Sequence, residues 1–188
     1  MSSQKLIVAV AGMAGSGKSL VVNTARQSGY DVVVMGDEVR EEAMRRKMAP
    51  NPENIGRIML ELRRIEGEAA IAKRCIPKIE KTQKTKVIVD GIRSLSEAEE
   101  LKNHFGKVTL VAVHSSPETR FQRLYNRERS DDPKSWAIFR ERDLRELSVG
   151  LGNAIAMAEY VIVNEDTLKT AKDKAREVLR EVERKWMT

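Results

Sequence analysis

Five short apolar runs punctuate this chain, and longer stretches with apolar residues three and four apart lie between them. The runs are Leu6–Ala11, Asp31–Met35, Lys86–Asp90, Val108–His114 and Tyr160–Asn164. Each is rich in Val or Ile and apolar at consecutive positions, so each predicts a strand buried on both faces. Such strands alternating with helical stretches make the βαβ rhythm of a parallel sheet covered by helices on both sides. The longest helical stretch runs from Pro52 to Lys81, with Ile55, Ile58, Met59, Leu62, Ile65, Ala69, Ala72 and Ile76 at helical spacing. Asn51 suits its N-cap, Pro52 its first turn, and Pro77 is placed to end or kink it. A closing helix over Thr167–Trp186 carries Leu168, Ala171, Ala175, Val178, Leu179, Val182 and Trp186 as a core stripe. The one break in texture is Arg127–Ser135, polar and charged around Pro133, which reads as a mobile loop over a site.

Composition narrows the class. A length of 188 residues without repeats or low-complexity tracts makes 1–188 one domain. The formal net charge of +6 suits either a nucleic-acid surface or a site for a polyphosphate. Aromatics make up only 4%, which argues against stacking platforms for single strands and makes nucleic acid the less favoured partner. Cys75 is the single cysteine, so no intrachain disulfide forms, and two distant histidines do not complete a zinc set. The apolar N-terminal run is too short to span a membrane and continues into a glycine loop, so it reads as a strand. A cytoplasmic protein with no membrane partner is the expectation; oligomeric state stays open.

That glycine loop carries the chemistry. Gly12-Met13-Ala14-Gly15-Ser16-Gly17-Lys18-Ser19 reads G-x-x-x-x-G-K-S, with a strand before it and a helical stretch after it. Glycines let backbone N–H groups curl around phosphate oxygens, and the helix N-terminus adds partial positive charge. Lys18 would reach the β- and γ-phosphates of ATP and Ser19 would ligate Mg²⁺.

In a parallel sheet the C-terminal ends of the strands face such a loop. The second strand ends in Met35-Gly36-Asp37-Glu38-Val39-Arg40 and the third in Asp90-Gly91-Ile92-Arg93. Asp90 stands where a carboxylate supports Mg²⁺, or else caps a turn. Asp37 is placed to orient or deprotonate an acceptor, and Arg40 and Arg93 to clamp an acceptor phosphate with forked hydrogen bonds. A plain helix start is the other reading of Asp37 and Arg40. Arg120, Arg123, Arg127, Arg129, Arg140, Arg142 and Arg145 then concentrate positive charge over about 120–145. A short arginine-bearing lid would both exclude water and bring charge to a moving phosphoryl group.

Together, G-x-x-x-x-G-K-S, G-D-x-x-R, D-G-x-R and R-x-D-D followed by a later Arg resemble the nucleoside monophosphate kinases of the adenylate-kinase-like type. The related dephospho-coenzyme A kinases and archaeal adenylate-kinase-related proteins are also similar. The resemblance covers nearly the whole chain. It implies a P-loop kinase fold, with acceptor-binding helices over about 37–83 and a short lid over about 120–145. It implies ATP and Mg²⁺ as cofactors and a small-molecule nucleotide as acceptor. It places Asn164 near the adenine of ATP, Arg40 and Arg93 on the acceptor phosphate, and Arg123, Arg129 and Arg140 on the transferred group. The dephospho-coenzyme A kinases would make Asp37 the base that activates a hydroxyl.

Two departures bear on the acceptor. Asp90-Gly91-Ile92-Arg93 lacks the proline of the D-G-F-P-R pattern and is one residue shorter. Glu97 stands where adenylate kinases place a glutamine against the adenine edge, and a carboxylate only accepts hydrogen bonds. Glu97 therefore either reads a different acceptor or is a plain helix residue. Three functions follow: a nucleotide kinase, a hydroxyl kinase using Asp37, or a nucleotide-switched ATPase acting on RNA or a protein partner.

Overall fold

A computed structural model describes residues 4–128 and 132–187 of the chain. The apolar runs form β1 (Leu6–Ala11), β2 (Asp31–Val34), β3 (Lys86–Ile92), β4 (Val108–His114) and β5 (Tyr160–Val163). They pair in parallel in the order β2-β3-β1-β4-β5. All six β1 residues are buried, because β1 is the central strand and both its faces are covered. Ile7, Ala9 and Ala11 enter one apolar core and Leu6, Val8 and Val10 the other, the period-two alternation of a strand between two helical layers. Fully burying each such Val or Ile contributes about 1.5–3 kcal/mol.

The first core packs the sheet against α2 (Met35–Arg45), α3 (Pro52–Glu66), α4 (Ala70–Glu80), α5 (Leu95–Phe105) and α8 (Leu151–Ala156). The second packs it against α1 (Lys18–Gln27) and α9 (Leu168–Trp186). Between β4 and β5 the chain also forms α6 (Pro117–Arg127) and α7 (Trp136–Ser148). This is the five-stranded parallel α/β fold expected from the apolar pattern. Among the described residues no helix is long and apolar enough to cross a membrane.

Three local differences have physical causes. The stretch from Pro52 to Lys81 is not one helix. Gly67, at φ 91°, ends α3, and the apolar spacing resumes in α4 with Pro77 inside it. The helical spacing persists across the break, so periodicity alone does not show it. Asn51 does cap α3, accepting from the Asn54 N–H at 2.8 Å. Second, β2 passes directly into α2, so Met35 opens a helix rather than closing a strand. Third, β3 runs on past Asp90 to Ile92. Val10 pairs with Asp90 and Ala11 with Ile92, leaving Gly91, at φ 105°, as a bulge. Bulges re-aim neighbouring side chains, and this one lies beside Asp90.

Candidate active site

The strand order reverses at β1, and the crevice beyond its C-terminal end is where ligands of open α/β sheets bind. The glycine loop between β1 and α1 forms one wall of a cavity of about 390 Å³ there. The loop is held from behind by its carbonyls. Asn164 Nδ2 donates to the Ser16 carbonyl at 2.8 Å, Ser115 Oγ to the same oxygen at 3.2 Å, and Arg120 Nη1 to the Ala14 carbonyl at 3.2 Å. Close approach demands glycine at Gly12, whose Cβ would meet the Val113 carbonyl, and at Gly15 and Gly17. A Cβ on Gly17, at φ +99°, would stand 2.1 Å from Asn164 Nδ2, and one on Gly15, at φ +81°, 2.7 Å from the Arg120 carbonyl. Met13 is buried in the core, whereas Gly12, Ala14, Gly15, Gly17, Lys18 and Ser19 line the cavity. Ser16 is buried behind them.

Lys18 lies at the cavity floor. Its ammonium donates to the Gly12 carbonyl at 2.6 Å and the Met13 carbonyl at 3.1 Å. Burial brings its pKa down to about 8, against the opposing pull of Glu146 and Asp90. A desolvated cation at a helix N-terminus is a ready receptor for phosphate oxygens.

Asp90 faces the same space. Its Oδ1 is buried and has no hydrogen-bond partner, and burial raises its pKa despite Lys18 and Arg93 nearby. An orphaned buried carboxylate oxygen and the Ser19 hydroxyl, lining one cavity, offer hard oxygen donors, which fit Mg²⁺. Among the described residues no cluster of three His, Cys, Asp or Glu side chains forms a protein-only metal cage. The donor set thus fits a cation that shares its coordination with substrate phosphates.

The same cavity is also lined by four arginines. Arg93 leaves the end of β3, Arg123 and Arg127 come from α6, and Arg142 from α7. Arg123 donates to Ser115 Oγ at 2.9 Å and to the Asn164 carbonyl at 3.0 Å, and Arg127 pairs with buried Asp132. Among them lies Glu146, 3.3 Å from Arg93 Nη1 and 3.6 Å from Arg142 Nε. Arg93, Arg142 and Lys18 hold its carboxyl below the usual carboxylate range, overcoming its burial.

The remaining sequence candidates fall around this cavity rather than in it. Asp37 and Arg40 pair with each other on the first turns of α2, half-exposed, outside the cavity lining. Both still act electrostatically on Asp90, so they share its end of the sheet. Asn164 turns its side chain to the glycine loop. Its N–H donates to the His114 carbonyl, while its carbonyl accepts from Ser115 and Arg123. Its Nδ2, N–H and carbonyl are therefore committed within the protein, and its side chain supports the loop. Glu97 is fully buried. It accepts from Arg63 and from the Arg93 N–H at 2.7 Å, with burial raising its pKa. It thus ties α3 to the turn that carries Arg93 and is closed to an acceptor.

Arg140 is exposed and does not line the cavity; Arg142 does. The phase of α7 is set by Phe139, buried beneath the Arg120 guanidinium, and by Asp143, which Arg120 holds at 2.9 and 2.5 Å. Arg129 lies outside the described residues. Glu146, Asp143 and the supporting role of Arg120 were not legible beforehand. Their signal is the spacing Phe139, Asp143, Glu146, which puts one apolar and two acidic side chains on a single helix face. For Glu97 the signal is Ser94-x-x-Glu97, a capping-box pattern: Ser94 Oγ accepts from the Glu97 N–H at 3.3 Å.

Comparison with known proteins identifies the fold and the family. The family described as AAA domain matches residues 11–140. A UPF0200 protein of Hyperthermus butylicus is 48% identical over 177 residues, covering 94% of this chain and 95% of its own. One from Thermococcus sibiricus is 49% identical over 87% of this chain and 88% of its own. Among solved structures, a shikimate kinase from Bacteroides thetaiotaomicron superposes with TM-score 0.60 at 17% identity, covering 93% of this chain and 98% of its own. A gluconokinase from Sinorhizobium meliloti does so with TM-score 0.59 at 18% identity, covering 100% and 98%. At those identities the superpositions establish the P-loop kinase fold and nothing finer. The long sequence matches go further: the chain belongs to the AAA domain family of P-loop proteins and to the UPF0200 proteins.

Proposed function

We propose that this protein transfers the γ-phosphoryl group of Mg²⁺-bound ATP to a small nucleotide, a nucleoside monophosphate or a close relative. One observation carries the reading. Lys18, Ser19 and Asp90 share a single cavity with Arg93, Arg123, Arg127 and Arg142, so the glycine loop and four guanidinium-bearing side chains line one space. The solved gluconokinase and shikimate kinase of the same fold support phosphoryl transfer but not this acceptor.

Each residue has a physical task. The loop N–H groups and Lys18 take the donor phosphates, Lys18 exchanging the Gly12 and Met13 carbonyls for phosphate oxygens. Ser19 and Asp90 would hold Mg²⁺, which neutralises charge on the β- and γ-phosphates. Arg123 and Arg142 face the space where negative charge shifts during transfer, and Arg93 grips the acceptor. Preorganisation comes from Arg120 and Asn164 behind the loop and from Glu97 beneath Arg93.

A second reading keeps the donor side and makes the acceptor a hydroxyl activated by Asp37. Its support is that Asp37 sits half-exposed at the end of β2, near enough to act on Asp90. A panel of nucleoside monophosphates, dephospho-coenzyme A and non-nucleotide hydroxy acids, assayed by ADP release, separates the two. Stimulation by a nucleoside monophosphate that survives Asp37→Ala supports the first. Stimulation only by a hydroxyl acceptor, lost in Asp37→Ala, supports the second. ADP release that no acceptor accelerates refutes both and favours a nucleotide-switched ATPase.

A further inference from the structure

Glu146 is the one acidic side chain that α7 places among the cationic residues of the cavity wall. Anchoring of α7 does not require it. Phe139 is fully buried beneath Arg120, and Asp143 forms a two-point pair with the same guanidinium, so the helix is already fixed one turn earlier. Glu146 instead reaches forward to Arg93, the residue placed to grip an acceptor, and across to Arg142. Its side chain is only 11% exposed, while Arg93 at 38% stays open to an incoming anion.

We propose that Glu146 is an internal anion occupying the acceptor clamp, and that it restricts the clamp to phosphate monoesters while rejecting acceptors whose only anion is a carboxylate. The proposal rests on the reading of this cavity as a phosphoryl-acceptor site and names the acceptor's chemical class. The argument is one of exchange. An incoming carboxylate offers Arg93 the same kind of oxygen and the same single charge that Glu146 already supplies. Glu146 is tethered, so its effective concentration beside Arg93 is high, on the order of millimolar or above. A carboxylate in solution therefore gains nothing by displacing it. A phosphate monoester brings about −1.5 to −2 charges and three acceptor oxygens near neutrality. It can take the forks of Arg93 and Arg142 together, which one carboxylate held 3.3 and 3.6 Å away does only loosely. Displacement is thus favourable for phosphate and unfavourable for carboxylate.

The test uses the full chain saturated with Mg²⁺ and a non-hydrolysable ATP analogue, so that the glycine loop is filled. Inorganic phosphate and acetate are then titrated as probes by calorimetry. The native protein should bind phosphate and show no acetate binding. Glu146→Gln, which keeps the shape and removes the charge, should bind phosphate about tenfold more tightly and make acetate binding measurable. Glu146→Asp retains the charge one methylene farther from Arg93, so its phosphate and acetate affinities should both fall between those of the native protein and Glu146→Gln, a graded series that a purely structural role would not produce. If Glu146→Gln does not fold, Glu146→Asp still tests the competition. Its carboxylate is one methylene short of Arg93, so phosphate should bind more tightly than in the native protein. Unchanged phosphate and acetate affinities in these variants, or acetate binding to the native protein, overturn the proposal alone. Failure of the native protein to bind the ATP analogue overturns the kinase reading, and the proposal with it.

Discussion

The pair Arg120–Asp143 offers a quantitative check on how the glycine loop is held. Both side chains are buried, at 5% and 9% exposure, and two hydrogen bonds of 2.9 and 2.5 Å join them. Arg120 also donates to the Ala14 carbonyl of the loop and to the Ser115 carbonyl. Asp143→Ala would leave a guanidinium buried with neutral partners only. Breaking a buried pair from one side costs about 3–5 kcal/mol. For a chain of this length each kcal/mol moves the midpoint by about 2–4 °C, so Tm should fall by roughly 6–20 °C. Replacing both partners, as Arg120→Met with Asp143→Leu, removes the uncompensated charge and should recover most of the loss. The double variant still lacks the bond to Ala14, so its affinity for an ATP analogue should stay below native while its Tm approaches native. Thermal unfolding followed by circular dichroism, closed as a double-mutant cycle, gives the coupling. A Tm loss under about 2 °C for Asp143→Ala, or a double variant as unstable as the sum of the singles, would refute the reasoning.

Three further outcomes follow from the same geometry. Lys18→Ala should lower phosphoryl transfer by at least about a hundredfold, measured by ADP release, because a preorganised charge facing the donor phosphates is lost. Its fold should survive, since the change removes a buried ammonium rather than an apolar contact. Gly17→Ala puts a Cβ 2.1 Å from Asn164 Nδ2 at φ +99°, so it should lose at least about 1–2 kcal/mol in denaturant unfolding and weaken ATP-analogue binding; native affinity would refute the loop geometry. Glu97→Ala leaves Arg63, only 9% exposed, without its carboxylate partner, and should destabilise the protein by about 3–5 kcal/mol in the same assay. It also frees the Arg93 N–H and should raise KM for the acceptor more than KM for ATP.

The parts of the site legible in the sequence are those whose chemistry is contiguous. Gly12 to Ser19 announces a phosphate cradle because strand, glycine turn and helix start follow one another along the chain, and Asp90 and Arg93 follow from the end of the third apolar run. The arginines over 120–145 were legible as a group but not individually. A helix turns about 100° per residue, so Arg140 and Arg142 lie on different sides of α7. Which one enters the cavity depends on the phase of that helix, and the phase is set by Arg120 gripping Asp143 across 23 residues of sequence. Glu97 shows the same limit: its position relative to Arg93 matches a base-reading residue, but Arg63, 34 residues away, claims its carboxylate.

By itself the sequence determined a parallel α/β sheet and a phosphate loop at the end of its central strand, because apolar runs and glycine turns act over a few neighbouring residues. Tertiary structure alone decided the charge pattern facing that loop. It buried Glu97 and turned Arg140 outward. It turned the Asn164 amide to hold the loop, and it set Glu146 against Arg93 and Arg142. Those assignments depend on which distant side chain satisfies each buried charge, and long-range packing makes that choice.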